Sequence, residues 1–212
     1  MSATAQAAVA ARAERRLIPR ADGGVVETMI EAPAGPPRGL ALIAHPHPLH
    51  GGNMNHKVVV MLARAVLDCG WLAVRANFRG VGASTGAFDH GRGEVEDLLA
   101  VVHALAADHP HLPWVLAGFS FGAYVQHRLA ARIRPTRLIL VAPPVDRYAF
   151  AAPTAPTEIV HGTEDELIAP AQVAAYAERH GLGLHLMSGA GHFFHGRLPA
   201  LRDKVRSLLC PP

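Results

Sequence analysis

The chain has few of the features that would indicate a disulfide scaffold or a membrane protein. It contains two cysteines in 212 residues, Cys69 and Cys210, and neither lies in a CxxC motif or at metal-ligand spacing. We therefore predict two reduced thiols without a chemical role. The best candidate for a membrane span, Leu98–Ala107, covers only ten residues and contains His103, so it is too short to cross a bilayer.

Charge of either sign is sparse and scattered. Lysine and arginine total 20 against 17 acidic residues, and no run of five or six like charges occurs, which argues against nucleic acid as a partner. The Ala-rich start precedes the charged residues Glu14–Arg16, the reverse of the order in a secretory signal. We predict a cytoplasmic protein with a flexible leader over residues 1–14 and one domain over 15–212.

Short apolar runs alternate with longer helical patterns along the chain. The extended candidates are Leu17–Pro19, Val25–Glu31, Leu40–Ala44, Leu72–Phe78, Trp114–Ala117, Leu138–Val141, Thr157–His161 and Leu184–Met187. The helical candidates are Asn55–Asp68, Glu94–Ala107, Phe121–Ile133, Pro170–His180 and Pro199–Leu209. This alternation predicts an α/β fold, with a mostly parallel, doubly wound sheet of about eight strands flanked by helices.

The segment after the strand Trp114–Ala117 reads GxSxG and then begins a helix. Such a strand-to-helix turn holds a serine in strained backbone geometry, and its flanking glycines, Gly118 and Gly122, remove Cβ atoms that would clash. We predict that Ser120 is a nucleophile. The amide of Phe121, at the start of the helix, would then donate to a developing oxyanion.

A serine nucleophile needs a base and a residue that orients the base, in the chain order Ser, acid, His. The loop after the seventh strand offers Glu164, Asp165 and Glu166. We choose Asp165, because a short carboxylate in a tight loop can be fixed against an imidazole. The alternative is that all three acids only form an acidic flank for the next helix.

Four histidines follow Asp165. His180 closes a helix and His185 lies within a strand pattern, whereas His192 lies in a Gly-rich loop directly after the last strand. We predict that His192 is the base, with His195 as the rival.

The loop HPHPLHGGN, residues 45–53, follows a buried strand and can supply a second oxyanion donor. Proline has no backbone N–H, which leaves His47 as the first choice and Leu49 as the second. A competing interpretation is a metal site, which we set aside because no carboxylate or cysteine joins the histidines His45, His47, His50 and His56. A second turn, Asn77–Ser84, is interpreted as structural, with Arg79 packed or paired.

Six stretches together resemble the α/β-hydrolase superfamily, and in particular small bacterial serine hydrolases with an HPHP loop, related to the dienelactone-hydrolase and prolyl-oligopeptidase-like branches. These stretches are HPHPLHGGNMNHKVV, ANFRGVGASTGAF, LAGFSFGAYV, LILVAPPV, IVHGTEDELIAP and GAGHFFHGRL. The resemblance runs from about residue 40 to 200 and implies a Ser120–Asp165–His192 triad that hydrolyses carboxylic esters. The nucleophile is serine rather than the cysteine of dienelactone hydrolases, which makes their substrate less suitable.

Larger relatives carry a lid after the strand that follows the elbow helix. Here only the 13 residues from Pro144 to Pro156 separate two strands, too few for a helical cap. We expect an open site without a cap domain, in which Phe119, Phe193 and Phe194 form the substrate pocket together with Phe121.

The sequence thus predicts a serine hydrolase that cleaves small carboxylic esters through an acyl-enzyme. A thioesterase or small-peptide hydrolase would use the same residues, and a non-catalytic binding module on the same fold is the alternative from another class. We expect no cofactor, no metal, no nucleic-acid or membrane partner, and a monomer or homodimer whose ligand is a small-molecule ester.

Overall fold

The computed structural model describes residues 13–210 and is built around one sheet of eight strands. The strands follow the order β1-β2-β4-β3-β5-β6-β7-β8, in which β1 and β2 are antiparallel to their neighbours and the rest run parallel. Their bounds are β1 Ala13–Pro19, β2 Val25–Glu31, β3 Leu40–Ala44, β4 Leu72–Ala76, β5 Trp114–Phe119, β6 Arg137–Val141, β7 Thr157–Gly162 and β8 Gly183–Met187. The fold is the predicted α/β-hydrolase architecture.

Five α-helices cover the sheet on both faces, namely α1 Lys57–Asp68, α2 Arg92–Asp108, α3 Phe121–Ile133, α4 Pro170–His180 and α5 Leu198–Leu209. One core lies between the sheet and α2, α3 and α4, and the other lies between the sheet and α1 and α5. Strand β3 supplies both cores, because its side chains alternate: Leu40 and Leu42 enter the first, and Ile43 enters the second. A strand covered on both faces is therefore apolar throughout, as its sequence LALIA is.

The first strand begins earlier than predicted. Ala13 and Glu14, assigned to a flexible leader, lie in β1 and are paired with Glu31 and Ile30 of β2. Most β1 side chains are exposed, as is usual on the edge of a sheet, so no apolar run announces the strand's beginning. The rest of the predicted leader lies outside the described residues.

The prediction of two reduced cysteines is wrong in this structure. Cys69 caps the C-terminus of α1 and Cys210 caps that of α5, and the two form a disulfide across a sequence separation of 141 residues. The pairing results from tertiary packing, since α1 and α5 lie side by side on one face of the sheet. The sequence alone gives no sign of this contact.

The turn after β4 is structural, as predicted. Its Arg79 guanidinium donates two hydrogen bonds to Asp97, at 2.8 and 3.0 Å, and the Arg79 amide donates a third at 3.1 Å. Arg20 also pairs with Asp97, at 2.8 Å. The Asp97 side chain is fully buried, and these paired donors compensate its charge while fixing the turn to α2.

The connection between β6 and β7, residues 142–156, contains no helix, so the carboxyl end of the sheet carries no cap there. Among the helices in residues 13–210, none is long and apolar enough to cross a membrane.

Candidate active site

The three predicted site residues follow three different strands. Ser120 follows β5, Asp165 follows β7, and His192 lies in the loop after β8. Parallel strands present their carboxyl ends at the same edge of the sheet, so these positions converge although up to 72 residues separate them.

Ser120 lies at a sharp turn between β5 and α3. Its backbone has φ 54° and ψ −121°, in a region that L-residues rarely adopt, and its N–H donates to the Val141 carbonyl at 2.9 Å. A Cβ atom on Gly118 would overlap the Gly122 carbonyl, and one on Gly122 would overlap the Ala44 carbonyl. The glycines of the GxSxG motif are thus required by close backbone approach, as the sequence predicts.

The imidazole of His192 lies between the other two side chains. Its Nε2 lies 3.1 Å from Ser120 Oγ, and its Nδ1 lies 2.8 Å from Asp165 Oδ2. Because a carboxylate only accepts, Nδ1 carries the proton in the neutral ring, and Nε2 is free to accept from the serine hydroxyl. The arrangement has the geometry of a nucleophile, a base and an orienting acid.

Asp165 is buried, and its two oxygens have separate roles. Oδ1 accepts from the amides of Leu167 and Ile168 at 2.9 and 2.8 Å, while Oδ2 accepts from His192. Burial alone would raise the pKa of this carboxyl, but the hydrogen bonds from His192 and the two amides outweigh burial and lower the pKa. The group is therefore ionised and oriented at neutral pH.

Glu166 has a contact that the sequence analysis missed. Its Oε2 accepts the backbone N–H of His192 at 3.0 Å, so it holds the loop that carries the imidazole. This hydrogen bond also lowers the pKa of the Glu166 carboxyl. Glu164 is exposed, and it joins the same loop through its amide, which donates to the Ala190 carbonyl at 3.0 Å.

The rival histidines lie elsewhere. His195 is exposed, with its ring 5.9 Å from that of Phe193, and His185 pairs with Glu158 at 2.8 Å. His180 lies at the end of α4 against Tyr176.

The first histidine of the HPHP loop is structural. His45 Nε2 accepts the amide of Phe78 at 3.0 Å, so the ring proton is on Nδ1, which donates to the Pro46 carbonyl at 2.7 Å. Burial lowers the pKa of His45 to about 3, and the ring is neutral at physiological pH. Within residues 13–210, no three His, Cys, Asp or Glu side chains are placed to hold a metal ion together.

The two residues proposed as oxyanion donors meet at the site. His47 and Phe121 both line the cleft beside Ser120, with ring centroids 5.1 Å apart. Leu49, the second choice, is 69% exposed in a short 3₁₀ helix, Pro48–His50, which the sequence analysis did not predict.

A cleft of about 200 Å³ opens in front of Ser120 and His192. Of the four phenylalanines predicted to form the pocket, Phe121 and Phe193 line it, while Phe119 and Phe194 are fully buried in the core beneath α1 and α5. The prediction is wrong for Phe119 because this last residue of β5 points to the face of the sheet that α1 and α5 cover. Its ring lies there 5.1 Å from that of His192, and Phe194 enters the same core. Tyr148 and Ile168 contribute instead.

The strand-to-helix elbow and the uncapped sheet place the chain in the α/β-hydrolase superfamily. The model of the family "serine aminopeptidase, S33" matches residues 37–150, more than half of the sequence. The chain belongs to this family of α/β serine hydrolases.

Two similar proteins of known structure, and one that is similar in sequence, support the same assignment. An α/β serine hydrolase homologue from Coxiella burnetii is 43% identical with a TM-score of 0.88, over 93% of this chain and 97% of that one. A serine hydrolase without a lid from Xanthomonas campestris is 37% identical with a TM-score of 0.88, over 92% of each chain. A monoacylglycerol lipase from Mycolicibacterium smegmatis is 30% identical over 122 residues, which are 55% of this chain and 42% of the lipase.

Proposed function

We propose that this protein hydrolyses small carboxylic esters through a covalent acyl-enzyme formed on Ser120. The observation that carries the proposal is the continuous hydrogen-bonded chain from Asp165 through His192 to the Ser120 hydroxyl, which ends in an accessible cleft. This is the arrangement that activates a weak nucleophile, because the base is adjacent and its tautomer is fixed.

In the first half of the cycle His192 Nε2 takes the hydroxyl proton as Ser120 Oγ attacks the ester carbonyl. The resulting imidazolium is stabilised by the ionised Asp165, which remains a carboxylate throughout. His192 then returns the proton to the departing alcohol. A water molecule repeats the sequence on the acyl-enzyme and releases the acid.

The tetrahedral oxyanion is assigned to the backbone amides of Phe121 and His47. Phe121 is the first residue of α3, so its N–H has no partner within the helix and lies at the positive end of the helix dipole. The Gly51–Gly52 turn supports the second amide: the Gly52 N–H donates to the His47 carbonyl at 3.1 Å, and a Cβ on Gly52 would overlap the Pro46 carbonyl. The turn therefore fixes the peptide that follows Pro46.

The composition of the cleft favours esters over peptides with a free amino terminus. Within residues 13–210, no residue that lines the cleft carries a carboxylate that would pair with an ammonium group. The walls include the apolar side chains of Phe121, Ile168 and Phe193. Its small volume suits short acyl or alcohol groups. The partial match to a monoacylglycerol lipase is consistent with an ester substrate, and thioesters remain the second choice because the same groups would cleave them.

Replacement of the nucleophile tests the proposal directly. Ser120→Ala should lower kcat on p-nitrophenyl acetate by at least about 10³-fold, because no alternative oxygen can form the acyl-enzyme. The matched control is Ser207→Ala on the exposed side of α5, which should retain full activity and melting temperature.

A fluorophosphonate probe should label the wild type and the Ser207 variant but not Ser120→Ala. Equal turnover in the two variants, or labelling of folded Ser120→Ala, would reject Ser120 as the nucleophile. Matched ester, thioester and anilide substrates with one acyl group then rank the leaving groups by kcat/KM.

A further inference from the structure

Among the described residues, those that line the cleft include basic groups and no acidic ones. Arg147 lines the mouth, together with His47 and His50 of the HPHP loop and His56 at the start of α1. A cleft with walls of one sign attracts groups of the opposite sign and repels like charges. The charge of the substrate is therefore a property that this site can distinguish.

Arg147 is held in place at the mouth. Its Nη2 donates to the Leu167 carbonyl at 2.8 Å, which ties the 142–156 connection to the loop that carries Asp165. The side chain is 54% exposed, so part of the guanidinium faces the cleft and solvent. An arginine anchored by one nitrogen keeps further N–H groups available for a ligand, and its charge does not change with pH in the physiological range.

The neighbouring acids leave that charge largely available. Asp146 approaches Arg147 Nε only to 3.9 Å, a solvent-exposed contact of little strength. Asp165 is buried and is bonded to His192 and two amides, while Glu166 accepts the His192 amide. Neither of these two carboxylates lines the cleft.

His47, which lines the cleft with Arg147, adds hydrogen-bonding capacity rather than a permanent charge. The rings of His47 and His50 stack with centroids 4.5 Å apart. Burial, together with the proximity of His50 and His90, lowers the pKa of His47, so its ring is neutral at pH 7. Arg147 is thus the group that supplies the lasting positive charge.

We propose that Arg147 is a specificity residue that selects esters bearing a negatively charged group, a carboxylate above all, on the acyl or the alcohol part. The proposal rests on the proposed ester hydrolysis and names its substrate class. Because the guanidinium is half exposed, its contribution is that of a screened charge pair, about threefold to fivefold in kcat/KM. The preference should weaken as ionic strength rises.

Two matched pairs of substrates test the proposal on the wild type and on Arg147→Gln. The first pair varies the acyl part, with p-nitrophenyl hemisuccinate compared with p-nitrophenyl valerate. The second varies the leaving group, with 4-acetoxybenzoate compared with 4-acetoxybenzamide, and 4-acetoxyphenyl-trimethylammonium is the cationic counterpart. The quantity of interest is the ratio of kcat/KM for the charged and neutral members, because this ratio cancels effects on folding or on the catalytic groups.

In at least one pair the anionic-to-neutral ratio should fall about threefold to fivefold on going from the wild type to Arg147→Gln, and Arg147→Lys should recover part of it. Arg132→Gln is the control, since Arg132 pairs with Glu96 away from the cleft and its loss should leave the ratio unchanged. Unchanged ratios in both pairs, or a wild-type preference for the cationic ester, would overturn the charge selection. Absence of turnover with every ester in both pairs, charged or neutral, would instead contradict the proposed function.

Discussion

The disulfide makes a stability prediction whose size follows from the chain length it closes. Cys69 and Cys210 are 141 residues apart, and the loop-closure entropy removed from the unfolded state by such a cross-link corresponds to about 5 kcal/mol at 25 °C. Measured disulfides usually contribute less, about 2–4 kcal/mol. For a chain of this size each kcal/mol changes the melting temperature by about 2–4 °C. Reduction should therefore lower it by about 5–15 °C.

The active-site geometry should survive that loss at 25 °C. Other contacts still hold α5 against α1, including two hydrogen bonds from Arg202 to Asp68 at 2.7 and 2.8 Å, and apolar packing through Leu201 and Val205. If the proposed ester hydrolysis holds, the turnover of p-nitrophenyl acetate by the reduced protein at 25 °C should stay close to that of the oxidised protein. Its half-life at elevated temperature should shorten.

The assay is thermal unfolding followed by circular dichroism, with and without dithiothreitol, on the wild type and on Cys69→Ala/Cys210→Ala. The double variant should melt at the temperature of the reduced wild type and should not respond to reductant. Two reactive thiols in the unreduced, denatured wild type, or one melting temperature under all conditions, would refute the reasoning. Thiol trapping in quenched cells extends the test, because persistent disulfides favour oxidising compartments and the sequence predicts a cytoplasmic location.

Two further predictions concern the acid of the site and stability in acid. Asp165→Asn should lower kcat by about 10³–10⁴-fold, because an amide cannot fix the His192 tautomer or stabilise its cation. Glu164→Gln should have little effect on kcat. A large loss of kcat in Glu164→Gln and a small loss in Asp165→Asn, measured in steady-state assays, would reassign the acid. Burial lowers the pKa of His45 to about 3. Burial, with a smaller effect of His180, lowers the pKa of His127 to about 4. Below about pH 6.5 the unfolded chain therefore binds more protons than the folded chain. As the pH falls from 6 to 5, each of these histidines should lower the unfolding free energy by about 1.4 kcal/mol per pH unit. In urea titrations His127→Gln should reduce this dependence on pH. The same dependence in the variant and the wild type would contradict the prediction.

The segments of the proposed active site could be predicted from the sequence because each depends on local backbone chemistry. The bounds of β2, β3, α3 and α4 agree with the predictions, since apolar runs, Pro170 and Gly181 mark their ends. The elbow around Ser120 needs glycine on both sides, a requirement that five residues express by themselves. Such local signals can be read from the order of residues along the chain without knowledge of the tertiary packing.

Features that depend on the orientation of side chains could not be predicted in this way. Phe119 and Phe193 both lie beside site residues, yet one points into the core and the other lines the cleft. Phe119 is the last residue of β5, so its direction depends on the alternation of that strand, and a shift of one residue would turn it to the other face of the sheet. Phe193 lies in the loop after β8, where no such alternation applies. The disulfide and the Glu166 contact are likewise set by tertiary packing.

The two neighbouring acids, Asp165 and Glu166, differ in the same way. Local chemistry of the loop predicts Asp165 as the acid, whereas the contact of Glu166 with the His192 amide depends on tertiary packing. Both residues lie in the loop after β7, and the short side chain of Asp165 is fixed within that loop, as predicted. The amides of Leu167 and Ile168 hold Asp165 Oδ1, which turns Oδ2 toward the imidazole, and the next residue then points to the backbone of the same histidine. Adjacent carboxylates thus hold His192 at two places, one at the ring and one at the main chain. The loop after β7 therefore determines both the tautomer of His192 and the position of its backbone.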